Sequence, residues 1–117
     1  MLTIYGISNC DTVRKALKWL DKKGLAYSFY DYKAQGLSNA QLETWMQQKD
    51  WSEILNTRST TWRELPPALK DSVVDAPSAI KVIPENFSMI KRPLVEQDGK
   101  IILLGFDQAQ WEAALQV

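Results

Sequence analysis

Leu2-Thr3-Ile4-Tyr5 is a short apolar run that stops at Gly6, the pattern of a buried strand. Beyond the turn Gly6-Ile7-Ser8-Asn9 the period changes. Val13, Ala16, Leu17 and Leu20 recur at i, i+3, i+4 and i+7, which predicts a helix with one apolar stripe. Arg14, Lys15, Lys18, Asp21 and Lys22 cover its other face, and Gly24 supplies a C-terminal stop. Residues 25–32 are aromatic-rich and predict a second strand. Two strands joined by a helix are expected to be parallel, with a right-handed crossover. The middle of the chain is helical in pattern. Ser38 with Gln41, Asp50 with Glu53 and Thr61 with Glu64 each have the spacing of a helix N-terminal cap, and Pro66-Pro67 soon closes the third helix. Pro77 fits the first position of a further helix carrying Ile80 and Ile83, which Pro84 ends or kinks. The last third returns to strands. Leu94–Gln97 and Lys100–Leu104 flank Asp98-Gly99, a pair suited to the positive φ angles of a tight hairpin. Asp107 with Gln110 caps a final helix, with Phe106 and Trp111 at the positions of a hydrophobic staple.

The order is β-α-β, a helical stretch, a β-hairpin and a helix. That is the α/β order of a thioredoxin-like fold (βαβ, then ββα) in a single domain over 1–117, with a helical insertion at about 37–90 between the halves.

Composition narrows the chemistry. The chain has 117 residues, with 14 basic side chains balanced by 14 acidic ones, so it lacks the basic excess of a nucleic-acid-coating protein. No stretch is long and apolar enough to span a membrane, and no signal peptide pattern precedes the first strand. There is no histidine, which removes Ser-His-Asp and Cys-His pairs and His-ligated metals. The single cysteine, Cys10, excludes an internal disulfide and a cysteine-based zinc site. A lone thiol without an export signal points to the reducing cytoplasm, and a monomer without a metal site is expected.

Cys10 lies where the first turn becomes the first helix. The outward N–H groups of a helix start favour a thiolate there. A helix terminus contributes about 0.3–2 kcal/mol, which is marginal for making thiolate the main form at neutral pH, so a cationic partner is needed. The alternative is that Cys10 is merely a small buried apolar residue; its place in a strand-to-helix turn favours the reactive reading. Of the four arginines, Arg14 is one turn further along the helix, Arg63 lies in a helix turn, and Arg58 and Arg92 sit in connections. In a thioredoxin-like fold the proline opening the third strand is usually cis and faces the cysteine loop, which here is Pro93, and this sets Arg92 beside Cys10.

The stretch Tyr5-Gly6-Ile7-Ser8-Asn9-Cys10-Asp11-Thr12-Val13-Arg14-Lys15-Ala16 resembles the active-site loop of the ArsC/Spx family, the glutathione-linked arsenate reductases and their relatives. Asn56-Thr57-Arg58-Ser59-Thr60-Thr61-Trp62-Arg63-Glu64-Leu65 is similar to the family's central arginine motif. Ile90-Lys91-Arg92-Pro93-Leu94-Val95 resembles its Arg-Pro motif. The resemblance spans essentially the whole chain and is strongest to the YffB-type branch, for which a glutathione-dependent thiol reductase role has been proposed. It implies that Cys10 is the nucleophile and that Arg58 and Arg92 hold an oxyanion or carboxylate while favouring the thiolate. It also implies that Asn9, Thr12, Arg14 and Pro93 contact substrate or glutathione. Glutathione would serve as co-substrate rather than bound cofactor, because the chain has no second cysteine to resolve an intermediate with a small disulfide or oxyanion substrate. The family also contains Spx-like regulators, so a module that docks on a protein partner such as RNA polymerase is an alternative; a binder of oxyanion or glutathione without turnover is a third. Three departures stand out: Gly105-Phe106 replaces the further Arg-Pro pair of arsenate reductases, Cys10-Asp11-Thr12-Val13 lacks the Cys-x-x-Cys of redox regulators, and Ser59 stands where relatives commonly have glycine.

Overall fold

A four-stranded sheet organises the molecule. The computed structural model describes residues 2–116, apart from the side chain of Glu85. Strands β1 (Leu2–Gly6), β2 (Tyr27–Asp31), β3 (Leu94–Gln97) and β4 (Lys100–Leu104) lie in the order β2-β1-β3-β4. β1 runs parallel to β2 and antiparallel to β3, and β3 and β4 form an antiparallel hairpin. Asp98 (φ 54°) and Gly99 (φ 79°) carry its turn, the positive angles that the Asp-Gly pair predicted. Alternation along β1 sends Leu2 and Ile4 to one face, where Val95 and Leu103 join them. Helices α1 (Asp11–Lys22) and α8 (Gln108–Leu115) cover that face with Ala16, Trp19, Leu20 and Trp111. Asp107 accepts the Gln110 N–H at 3.0 Å, and the Phe106 and Trp111 rings meet edge-on at 4.9 Å, so cap and staple form together. This is the thioredoxin-like βαβ–ββα arrangement.

The chain divides into two compact units. One holds the sheet and runs to Gln35 and again from Arg92; the other is Gly36–Lys91. The second is helical: α3 (Asn39–Gln48), α4 (Trp51–Ile54), α5 (Thr60–Arg63), α6 (Pro67–Ser72) and α7 (Ala76–Val82), followed by two 3₁₀ turns, Ile83–Glu85 and Phe87–Met89. Its buried side chains include Leu42, Trp45, Ile54, Leu55, Ala79, Ile83, Met89 and Ile90. Lys91 donates to the Ile54 carbonyl at 2.7 Å and Asn56 to that of Met89 at 2.6 Å, which pairs the segment after α4 with the last residues of this unit around the antiparallel Leu55–Ile90 bridge.

Ser38 caps α3, and Asp50 with Glu53 forms a reciprocal capping box on α4, as their spacing predicted. Four local expectations are corrected. The second strand ends at Asp31 rather than residue 32, because the Asp31 carboxylate accepts the Lys33 and Ala34 N–H groups and turns the chain into the short helix α2 (Tyr32–Gln35). The cap of α5 is Ser59 and not Thr61: Ser59 accepts from Trp62, while the Thr61 hydroxyl is engaged with Ser88. Pro66-Pro67 does more than end α5, since Pro67 begins α6. In α7, Ala76 takes the first position and Pro77 the second, with Asp75 as cap, and Ile83 falls just past the helix end in the turn made with Pro84.

Candidate active site at the start of the first helix

Gly6, the last residue of β1, permits a close approach that sets the geometry. A Cβ built on it lies 2.8 Å from Val13 Cγ2, so α1 packs against the strand end as no larger residue allows. Val13 is wholly buried, and Cys10 is the N-cap of the helix that Val13 anchors. The Cys10 N–H donates to the Ile7 carbonyl at 3.2 Å and its carbonyl accepts from Arg14 at 2.9 Å, which leaves the side chain at the helix mouth. The thiol is half-buried. Arg92 Nε donates to Cys10 Sγ at 3.4 Å across 82 positions of sequence. The Arg92–Pro93 bond is cis, Pro93 is buried, and its carbonyl accepts the Gly105 N–H at 2.9 Å.

Burial opposes ionisation of Cys10. The N–H of Val13, the Arg92 guanidinium and the N–H of Thr12 together outweigh it, and the thiol is held below its ordinary range. The cation that a helix terminus alone lacks is thus supplied by Arg92.

The remaining sequence candidates take distinct places. Asn9 and Thr12 flank the thiol and are exposed. Arg14 reaches Asp11 Oδ1 at 3.3 Å on the exposed helix surface, one turn beyond Cys10. Arg58 belongs to the Gly36–Lys91 unit, in the turn before α5. Its N–H donates to Asn56 Oδ1 at 3.1 Å, its carbonyl accepts from Arg63 Nη2 at 2.7 Å, and its side chain is exposed. Gly105 has φ 77°, a left-handed turn conformation that suits glycine. Sequence reasoning missed two neighbours. Asp31 Oδ2 accepts the Ser8 N–H at 3.2 Å, which ties the loop before Cys10 to the end of β2. Burial opposes the Asp31 carboxylate's charge, but hydrogen bonds from Ser8, Ala34 and Lys33 hold it below the usual carboxylate range. Tyr32 is wholly buried, and burial pushes its phenol above the ordinary tyrosine range against the opposing charge of Arg92. The signal that pointed to both was Asp31 itself, an N-cap residue at the end of an aromatic run. Among the described residues no group of three or more His, Cys, Asp and Glu side chains is placed to hold a metal ion, and no helix is long and apolar enough to cross a membrane.

The ArsC family model matches residues 5–114. The chain belongs to the ArsC family. Its fold superposes on the solved YffB protein with a TM-score of 0.89 at 41% identity, covering 98% of this chain and 99% of that one. An arsenate reductase (ArsC) related protein from Brucella melitensis gives a TM-score of 0.79 at 43% identity, covering 99% and 95%. The global transcriptional regulator Spx of Streptococcus agalactiae is 26% identical over 117 residues, 98% of this chain and 83% of the regulator. The ArsC resemblance read from the sequence, with its YffB-type and Spx-type likenesses, therefore holds over almost the entire chain.

Proposed function

We propose that this ArsC-family protein is a glutathione-dependent thiol-disulfide or oxyanion reductase that works through one activated cysteine. The observation that carries the reading is Arg92 Nε at 3.4 Å from a thiol seated at a helix N-terminus. For a glutathionylated thiol as substrate, the Cys10 thiolate attacks the glutathione sulfur. A Cys10–glutathione disulfide forms, the substrate sulfur leaves as thiolate and takes up a proton. A second glutathione thiolate then attacks the glutathione sulfur of that disulfide, releasing oxidised glutathione and regenerating the Cys10 thiolate. One glutathione thiol is oxidised and one substrate sulfur is reduced to the thiol, the other glutathione sulfur having entered at the disulfide level. The outside thiol is required because Cys10 is the sole cysteine. A low thiol pKa helps twice, since it supplies the attacking thiolate and makes Cys10 a good leaving group.

In this reading Arg92 holds a carboxylate of glutathione or an oxyanion through paired N–H donors, a fork that lysine does not reproduce, and the family resemblance gives Arg58 the same kind of role. Asn9, Thr12, Arg14 and Pro93 border the approach to the sulfur. Disulfide exchange is favoured over arsenate reduction, because glycine stands at position 105 where arsenate reductases place a further arginine. A free nucleophilic thiol suits the reducing cytoplasm. The test is turnover of a glutathionylated peptide with glutathione as the only reductant. Turnover that is lost in Cys10→Ser supports the reading, and a wild-type protein that turns over neither this substrate nor arsenate refutes it.

Similarity to a transcriptional regulator supports a second reading, a module that docks on a protein partner such as RNA polymerase. The absence of a second cysteine removes an internal disulfide switch, which places the enzyme first. Stoichiometric retention of the polymerase by a chain without turnover favours the regulator.

A further inference from the structure

The helix that Cys10 caps is charged against its own local preferences. Residues 11–23 carry five basic side chains and two acidic ones, in a chain whose basic and acidic groups balance at 14 each. Both acids are engaged away from the lysines. Asp11 Oδ1 pairs with Arg14 Nη1 at 3.3 Å, and Asp21 Oδ1 accepts the Tyr27 hydroxyl at 3.0 Å. Lys23 lies over the Trp19 ring, 5.8 Å from its centroid. Lys15, Lys18 and Lys22 remain, all exposed and, among the described residues, in no ion pair. At about 100° per residue they share a sector of about 60°, opposite the wholly buried Val13 and Leu20. Arg14 with Lys18 and Lys18 with Lys22 are four positions apart, and Lys15 with Lys18 three, spacings at which like charges repel. Arg14 also closes the first turn, the positive end of the helix, where an acid is the favoured residue. A face that only had to be solvated gains by mixing acids with its lysines; this one forgoes that gain, the mark of a surface kept for something other than stability.

We propose that the ridge of Lys15, Lys18 and Lys22 docks an acidic stretch of a protein substrate, so that the preferred substrates are glutathionylated proteins with acidic residues close to the modified cysteine. The proposal rests on the reading of Cys10 as the attacking thiolate. Charge complementarity selects the partner: three unpaired ammonium groups in a row meet carboxylates and repel a basic flank. Helix geometry sets the spacing. At a rise of about 1.5 Å per residue, Lys15 and Lys22 stand about 7.5 and 18 Å along the axis from Cys10. An extended peptide covers about 3.3–3.6 Å per residue, so its acidic residues belong about two to five positions from the reacting cysteine. A nucleic acid is the poorer occupant, because three lysines neutralise few phosphates and the chain as a whole has no basic excess. The charges of the helix thus divide the work. Arg92 acts on the sulfur, and the lysines act on the flank of the substrate and on the rate of encounter.

The experiment is kcat/KM for glutathionylated peptides of one length, with glutathione as reductant. Glutamates stand two to five positions before the modified cysteine in one peptide and after it in a second, and glutamines replace them in a third. At low ionic strength one of the glutamate peptides is expected to exceed the glutamine peptide by about fivefold, the scale of a few exposed ion pairs acting together. The advantage is expected to vanish toward about 1 M salt, where the screening length falls to about 3 Å. This salt series uses the wild type alone, so it stands whether or not a variant folds. In the triple variant Lys15→Glu, Lys18→Glu, Lys22→Glu the order is expected to reverse, with the glutamine peptide the better substrate. Equal kcat/KM for all three peptides, or a glutamate preference that survives salt or charge reversal, overturns the docking ridge and leaves the proposed function standing. A duplex oligonucleotide that inhibits at lower concentration than the glutamate peptide competes also overturns it, in favour of a nucleic acid. A wild type that turns over none of the peptides, nor arsenate, overturns both.

Discussion

Replacing Gly6 by alanine tests the contact that seats the cysteine helix. The new Cβ would stand 2.8 Å from Val13 Cγ2 and 3.3 Å from Val13 Cγ1. Carbon atoms are at their optimum separation at about 3.5–4.0 Å, so the nearer methyl must retreat by roughly 0.7 Å or more. Val13 is wholly buried and β-branched, with one preferred rotamer in a helix, so it does not swing aside. The first turn of α1 has to move instead. Overpacking of this kind costs about 1–3 kcal/mol, while removing a glycine stabilises by about 0.4–1 kcal/mol through the unfolded chain. Gly6 has no left-handed φ, so backbone strain adds nothing. The expected net loss is about 1–2 kcal/mol, read as a fall in the urea midpoint. Because Cys10 caps the same helix, alkylation of the thiol changes in the same variant. The decisive assay is a double-mutant cycle with Val13→Ala. Val13→Ala alone destabilises by leaving a cavity, and it makes Gly6→Ala nearly neutral or stabilising by giving the new methyl room. If Gly6→Ala is harmless in the wild type, or equally costly with alanine at position 13, the close approach is not what fixes the helix.

Three further outcomes are expected. Trp111→Ala removes a wholly buried ring that meets Trp19 and Phe106 edge-on and donates from Nε1 to the Gly105 carbonyl at 3.0 Å; a loss of about 3–5 kcal/mol in denaturant titration is expected. Asp31→Ala removes the cap of α2 and the Ser8 tether, at a cost of about 0.5–2 kcal/mol. Because the folded Asp31 is held below its ordinary range, this stabilisation is present above that range and lost as pH falls through the lowered value, so wild type and variant converge in acid. Burial, together with the hydrogen bond and charge of Glu96, pushes Tyr5 up to about 12. Stability linked to Tyr5 is therefore present below about 10, the ordinary tyrosine value, and lost as pH rises through the raised one. Glu96→Gln should lower the Tyr5 midpoint in a ¹³Cζ titration; an unchanged midpoint refutes the assignment to Glu96.

The elements easiest to read were those whose signals are local. The stripe of Val13, Ala16 and Leu20, the Asp98-Gly99 turn, and the cap-and-staple of Asp107, Phe106 and Trp111 each specify structure within a few residues, and each forms as the pattern indicates. The misses came where two local signals competed. Ser59 and Thr61 both suit a cap, and the choice was made by Ser88, 27 positions away from Thr61. Tyr32 closes an aromatic run of strand character, yet the carboxylate of Asp31 diverts the backbone one residue earlier. The site divides in the same way. Cys10 was legible from its place between strand and helix. Arg92 beside it followed only from the fold-level expectation that Pro93 opens the third strand facing the cysteine loop, because nothing local connects residues 82 positions apart. Tyr32 carried no signal of its own, since a buried aromatic reads as core.

The central claim is that Cys10 is a thiolate held by Arg92. It is tested most directly by the rate of Cys10 alkylation as a function of pH in the wild type and in Arg92→Ala, followed by mass. The account predicts a wild-type midpoint below that of free cysteine, moved upward when Arg92 is removed and only partly restored by Arg92→Lys. A wild-type midpoint at the free-cysteine value, or one indifferent to Arg92, would contradict it.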